Sequence, residues 1–172
     1  GGAGTDFNTG SNWSPTGVPT GADNAIIAIT SDATITLSAN AAVNNLTFTV
    51  NGNGDNAILS VGAFTLTVNG NAVIDILSGN GSTDIQIGVN GGTAAGVIDF
   101  VGAVSIGTTN DGNFAGFIGN SNSKFIFRNN LTYGVKAIVR TANKPGTVEF
   151  DGTGTQLLTW NNTDWFCEWN NV

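Results

Sequence analysis

The chain has 172 residues, of which only 10% are charged, and its five Lys and Arg against twelve Asp and Glu leave a net charge of -7. So few cations cannot neutralise a phosphate backbone, which argues against nucleic acid as a partner. The absence of His removes the commonest metal ligand and the usual near-neutral general base.

One domain is expected at this length. No apolar run approaches the length of a membrane-spanning helix, and Cys167, the lone cysteine, cannot form a disulfide within the chain. The opening "GGAGTDFNTG" has neither the charged start nor the apolar middle of a leader. A mature form or a piece cut from a longer polypeptide is therefore expected.

Along the chain, "NWSPTGVPTGADNAII" at 12–27 comes first, with prolines that interrupt pairing and Trp13 as a large apolar body. Residues 1–24 are expected to cap the open end of whatever follows. Strand signals then accumulate: "AIIAI" (25–29), "ATITL" (33–37), "LTFTV" (46–50), "AFTLTV" (63–68), "AVIDIL" (72–77) and "DIQIGV" (84–89). "VIDFVGAVSI" (97–106), "KFIFRNNLTY" (124–133) and "TVEF" (147–150) continue them. All are β-branched or aromatic and bounded by Gly, Asn or Asp, so the fold class is all-β.

These runs share one unit: two inward residues flanking an outward one, a small residue two places on, then a second apolar position. The paired heads end at Leu37, Val68, Phe100, Phe127 and Val148-x-Phe150, at intervals of 31, 32, 27 and 23 residues. The second apolar positions fall at Val43, Val73, Val104, Leu131 and Leu157. A loose period of this size, built of short strands, is what stacked coils of a parallel β-helix produce. Roughly five to six irregular coils are expected over residues 25–172, continuing past the chain end.

The glycine-rich run "FDGTG" at 150–154 could cradle a phosphate, but it occupies the same offset as "FVGAV", "VNGNA" and "FRNNL". A coil corner is the expected reading, with the glycines supplying positive φ. A phosphate site would need a helix to follow, and a strand-like pattern resumes instead.

The far end, "TWNNTDWFCEWNNV" (159–172), gathers Trp160, Trp165 and Trp169. They are the candidate ligand-binding residues, as a platform on which sugar rings stack, although alternation of Trp165, Cys167 and Trp169 also suits the core of a last coil.

"NWSPTGVPTGADNAIIAI", "AAVNNLTFT" and "VEFDGTGTQLLTW" together resemble the β-solenoid segments of large secreted bacterial surface proteins and adhesins. The resemblance is notably to those of Bacteroidota exported by the type IX system, and more loosely to autotransporter passengers. It implies a right-handed, single-stranded β-helix displayed at the cell surface or outside the cell. It also implies contact with glycans, cell-surface proteins or secretion machinery, and it brings no catalytic residues or cofactor.

Catalysis on such a scaffold needs two or three carboxylates on one face, as in polysaccharide lyases and hydrolases. Asp99 and Glu149 each precede a head and are expected on one outer column, two coils apart with Ile126 between them; Asp75 repeats the "VID" triplet of Asp99. A solvated face is preferred for them, and no catalytic residue is assigned. The Asn and Asp of "NGNGDN", "GNGSTD" and "TNDGN" suit turns better than calcium, so no metal site is assigned either. The pairs Thr34/Thr36, Thr47/Thr49 and Thr65/Thr67 stand at unequal intervals of 13 and 18 residues and are not expected to stack into an ice-matching face. The expected function is non-catalytic, a stalk or adhesive module, with a glycan-processing enzyme or a secreted cargo as alternatives.

Overall fold

Short runs such as "AIIAI" and "TLTV" place every second residue on one face, and in a computed structural model of the chain each becomes a strand with its apolar residues inward. The structure describes residues 4–78, 83–107, 114–134 and 146–160. They form a parallel β-solenoid.

The first turn is β1 (Ala25–Ile29), β2 (Ala33–Thr36) and β3 (Ala41–Val43), and the second is β4 (Leu46–Asn51), β5 (Asn56–Ser60) and β6 (Thr65–Val68). The third is β7 (Ala72–Ser78), β8 (Asp84–Gly88) and β9 (Val97–Phe100), and the fourth β10 (Val104–Ile106), β11 (Phe114–Ile118) and β12 (Lys124–Phe127). Beyond it, β13 (Leu131–Tyr133), β14 (Thr147–Phe150) and β15 (Leu158–Trp160) extend two of the faces. The first sheet runs β1-β4-β7-β10-β13-β15, the second β2-β5-β8-β11 and the third β3-β6-β9-β12-β14. Neighbouring strands within the three sheets are parallel, as β1 with β4 and β9 with β12 illustrate. The described residues thus complete about four turns, set by the four-stranded second sheet, against the five to six expected.

Inward residues of all three sheets merge into one apolar core, with Leu46, Phe48, Leu59, Leu66, Ile74 and Phe100 fully buried. The third sheet carries an aromatic column: Phe100 stacks on Phe127 at 5.3 Å and Phe127 on Phe150 at 5.5 Å between ring centroids. Phe117 of the second sheet meets Phe127 edge-on at 5.3 Å, which ties two faces together across the core.

Register tests the repeat directly. Val68, Phe100, Phe127 and Phe150 do stand on successive rungs, but the rung before them is Val43, not Leu37. Leu37 instead follows β2, where its N–H donates to Ser60 O at 3.0 Å. The second apolar positions at Val104 and Leu131 are buried as expected, whereas Val73 is 36% and Leu157 61% exposed; Ala72 holds the inward place on the β7 rung. A uniform offset assumes equal corners, and in a parallel sheet a one-residue slip turns a side chain to the opposite face.

The glycine of "FDGTG" does turn a corner, though not through positive φ. Among the described residues, glycines with positive φ are Gly17, Gly54, Gly62, Gly88, Gly91, Gly92 and Gly107, and none belongs to the corner column of Gly70, Gly102 and Gly152. Close stacking explains that column: a Cβ on Gly102 would lie 2.2 Å from Gly70 O. Residues 155–157 lead into β15, not into a helix.

Asparagines finish the adjoining corner. Asn24 Oδ1 accepts the Asn45 side-chain amide at 2.8 Å, Asn45 Oδ1 accepts Asn71 N–H at 2.7 Å, and Asn71 Oδ1 accepts Ala103 N–H at 3.0 Å. Asn130 repeats the bond to Leu157 N–H at 2.8 Å. Neutral amides can be stacked this way rung upon rung, whereas a column of like charges would repel itself. The low charge of the sequence is thereby given a structural use.

Candidate functional site

Among the predicted aromatic residues, Trp160 closes β15 and its backbone pairs with Tyr133, while Trp165 and Trp169 lie outside the described residues. Side-chain geometry thus neither assembles nor dismantles the sugar platform. Two other places concentrate chemistry.

The first is the outer face of the third sheet. Asp99, Ile126 and Glu149 occupy successive rungs of one outward column, as the repeat foretold. Asp75 does not join them: its "VID" triplet lies in β7 of the first sheet, where the side chain is 3% exposed and its Oδ1 accepts Ile76 N–H at 2.9 Å. What the sequence reading missed is the pair of cations. Arg128 Nε donates to Asp99 Oδ1 at 2.8 Å and Nη2 to Asp99 Oδ2 at 3.2 Å, while Nη1 donates to Asp151. Lys124 pairs with Glu149.

The signal for these contacts was present in the repeat. Val101, Arg128 and Asp151 each follow a head, so they take neighbouring positions on successive rungs just as the heads do. Asp99 and Asp151 are therefore brought within reach of one guanidinium, which raises the Arg128 pKa through the Asp99 hydrogen bonds first and its charge second. Bidentate pairing of this kind fixes geometry. The aromatic residues of these rungs point into the core. On this face Arg128 pairs with Asp99 and Asp151, and Lys124 with Glu149.

The second place is the N-terminal end. Thr36 N–H donates to Thr5 O and Phe7 N–H to Thr36 O, both at 2.8 Å, so residues 5–7 lie parallel to the edge of β2. Phe7 is 1% exposed and meets Trp13 edge-on at 4.9 Å; the Trp13 indole N–H donates to Phe7 O at 2.8 Å. Asp6 fastens the strip to the next corner through Ser38 Oγ at 2.9 Å. Beside this strip and β1 runs a groove of about 400 Å³, with Ile27, Ile29, Ile35 and Trp13 in its lining.

The Thr9 hydroxyl chiefly, then the Asn8 N–H, hold the Asp6 carboxyl below its ordinary range against the opposing effect of burial, with Ser38 contributing least. A depressed folded-state value means that the contribution to docking is complete above the unfolded carboxylate range, near about 4, and is lost as pH falls through the lower folded value. Acidification below the ordinary carboxylate range should therefore loosen residues 4–13 before the coils. Amide exchange at Phe7 reports it, and an Asp6→Asn variant with an unchanged acid profile would refute the assignment.

Of the stretches weighed for calcium, 79–82 and 109–113 lie outside the described residues. Among the described residues no group of three His, Cys, Asp or Glu side chains could hold a metal. In "NGNGDN" the Thr83 Oγ1 donates to Gly52 O at 2.9 Å and accepts Gly54 N–H at 3.0 Å. Nor do the threonine pairs share a face: Thr34 and Thr36 lie in the second sheet, Thr47 and Thr49 in the first, Thr65 and Thr67 in the third. No described helix is long and apolar enough to cross a membrane.

No protein-family model matches the chain, and no curated protein or solved structure matches it either.

Proposed function

We propose that the chain is a non-catalytic β-solenoid module of a secreted or cell-surface protein, a stalk or adhesive element that offers long faces to a glycan or protein. The observation that carries this reading is the paired outer face of the third sheet, where Arg128 and Lys124 are committed to Asp99, Asp151 and Glu149. Opposite charges paired on successive rungs fix the geometry of the face and avoid like-charge repulsion between coils. Four turns sharing one core add support, because each coil braces the next and load is spread along the ladder. In this reading residues 1–24 cap the first coil, the winding is right-handed with five to six coils over the whole chain, and the resemblance to surface adhesins of bacteria supplies the location.

A polysaccharide-processing enzyme is the second reading, favoured by the same cluster of three carboxylates and two cations. The two separate in one experiment, a glycan array run beside a reducing-end assay on soluble polysaccharides. The adhesive reading expects binding without product, and loss of that binding in a folded Trp165→Ala, Trp169→Ala double variant if the aromatic end is the contact. Product formation that disappears in Arg128→Ala would replace it with the enzyme.

A further inference from the structure

β1 ends the first sheet and, among the described residues, has β4 as its one partner strand. Ala25 N–H donates to Asn45 O at 2.8 Å, so alternation along a parallel strand turns the N–H and C=O of residues 25, 27 and 29 toward β4. Those of Ile26 and Ala28 face the other way, and no ladder bond among the described residues receives them.

The neighbouring β2 edge is covered. Residues 5–7 run beside β2, and Asp23 O accepts Asn44 N–H at 2.7 Å at the corner before β4. Among the described residues no strand lies alongside the outer edge of β1, and the groove of about 400 Å³ lies there. Its floor is apolar, with Ile27, Ile29 and Ile35, and Ile26 stands 69% exposed on the outer side of the same edge. Among the described residues no Lys or Arg lines it, and its one carboxylate, Asp6, is already held by Thr9, Asn8 and Ser38.

From this we infer that the β1 edge and its groove form a strand-accepting site for an extended peptide that is uncharged or basic and carries apolar residues at alternate positions. Main-chain bonds to Ile26 and Ala28 give the attachment, and alternate side chains entering over Ile27 and Ile29 give the selection. The added strand continues a sheet already six strands wide, so its direction and spacing are set by the existing ladder. An acidic peptide is disfavoured by the chain's net charge of -7. The inference stands independently of where the protein resides.

The probe is a synthetic peptide copying residues 44–51, "NNLTFTVN", the stretch that includes the strand on the opposite edge of β1 and that is uncharged with Leu, Phe and Val alternating. Saturable binding to the whole chain is expected, with amide exchange at Ile26 and Ala28 slowed about tenfold or more. A copy of the peptide N-methylated at alternate residues should not bind. Ala28→Pro should also abolish binding while keeping the β1–β4 ladder, because the deleted N–H points away from β4; if that variant unfolds by circular dichroism, the N-methylated peptide still decides. Absence of binding at about 1 mM peptide, equal binding of the N-methylated copy, or occupation of the groove by an oligosaccharide but not by the peptide overturns the inference.

Discussion

Phe127→Ala should lower the stability of the C-terminal coils by about 3–5 kcal/mol, the range for removing a fully buried aromatic side chain. Phe127 is 0% exposed and is the middle ring of the Phe100–Phe127–Phe150 column, with Phe117 edge-on from the second sheet. Truncation leaves a cavity that neighbouring coils cannot close, since their backbones are fixed by ladder bonds on both sides, and it forfeits three aromatic contacts as well. In a stacked solenoid the loss should stay local. Amide exchange is therefore expected to accelerate across β12 to β15 while β4 to β8 keep their protection. Phe150→Ala, at a partly buried end of the column, should cost markedly less. An unfolding free energy from urea titration of Phe127→Ala within about 1 kcal/mol of the parent's would show that the column is not the main brace of this end.

The same column shows what the sequence could and could not convey. Val68, Phe100, Phe127 and Phe150 were legible as one repeating position because their neighbours alternate and a turn residue follows each at a fixed distance. Leu37 imitated that pattern on another face, in β2 to its corner, since an apolar alternation announces a buried strand without saying which sheet receives it. β5 and β11 escaped notice: "NAILS" is short and starts at a turn-like Asn, and "FAGFI" has a glycine at its centre that reads as a break. Gly116 instead pairs with Gln86 in a ladder whose hydrogen bonds need no side chain. The paired charges were hidden for a different reason. Arg128 is 29 residues from Asp99 and 23 from Asp151, intervals that mean nothing until the rungs are aligned. The groove beside β1 had no sequence signal at all, because it is formed by what the N-terminal strip does not cover.

A methyl group at Gly88 tests how tightly the turns are stacked. Gly88 ends β8 with φ at 148°, and a Cβ there would fall 1.8 Å from Ile118 O and 2.8 Å from Phe125 Cζ. Ile118 O is the acceptor of Val89 N–H at 2.8 Å, so the methyl would displace the bond joining the third turn to the fourth. Backbone strain of about 1–3 kcal/mol and a steric cost of similar size should combine, giving roughly 2–6 kcal/mol of destabilisation for Gly88→Ala. Gly62 supplies the control. Its φ is 57° and a Cβ there would meet nothing within 4 Å, so Gly62→Ala should bear only the backbone term, about 1–2 kcal/mol. Denaturant midpoints of the two variants separate the causes: the excess for Gly88→Ala measures the closeness of β8 and β11, and equal losses would mean that the turns can part at that rung to admit a side chain.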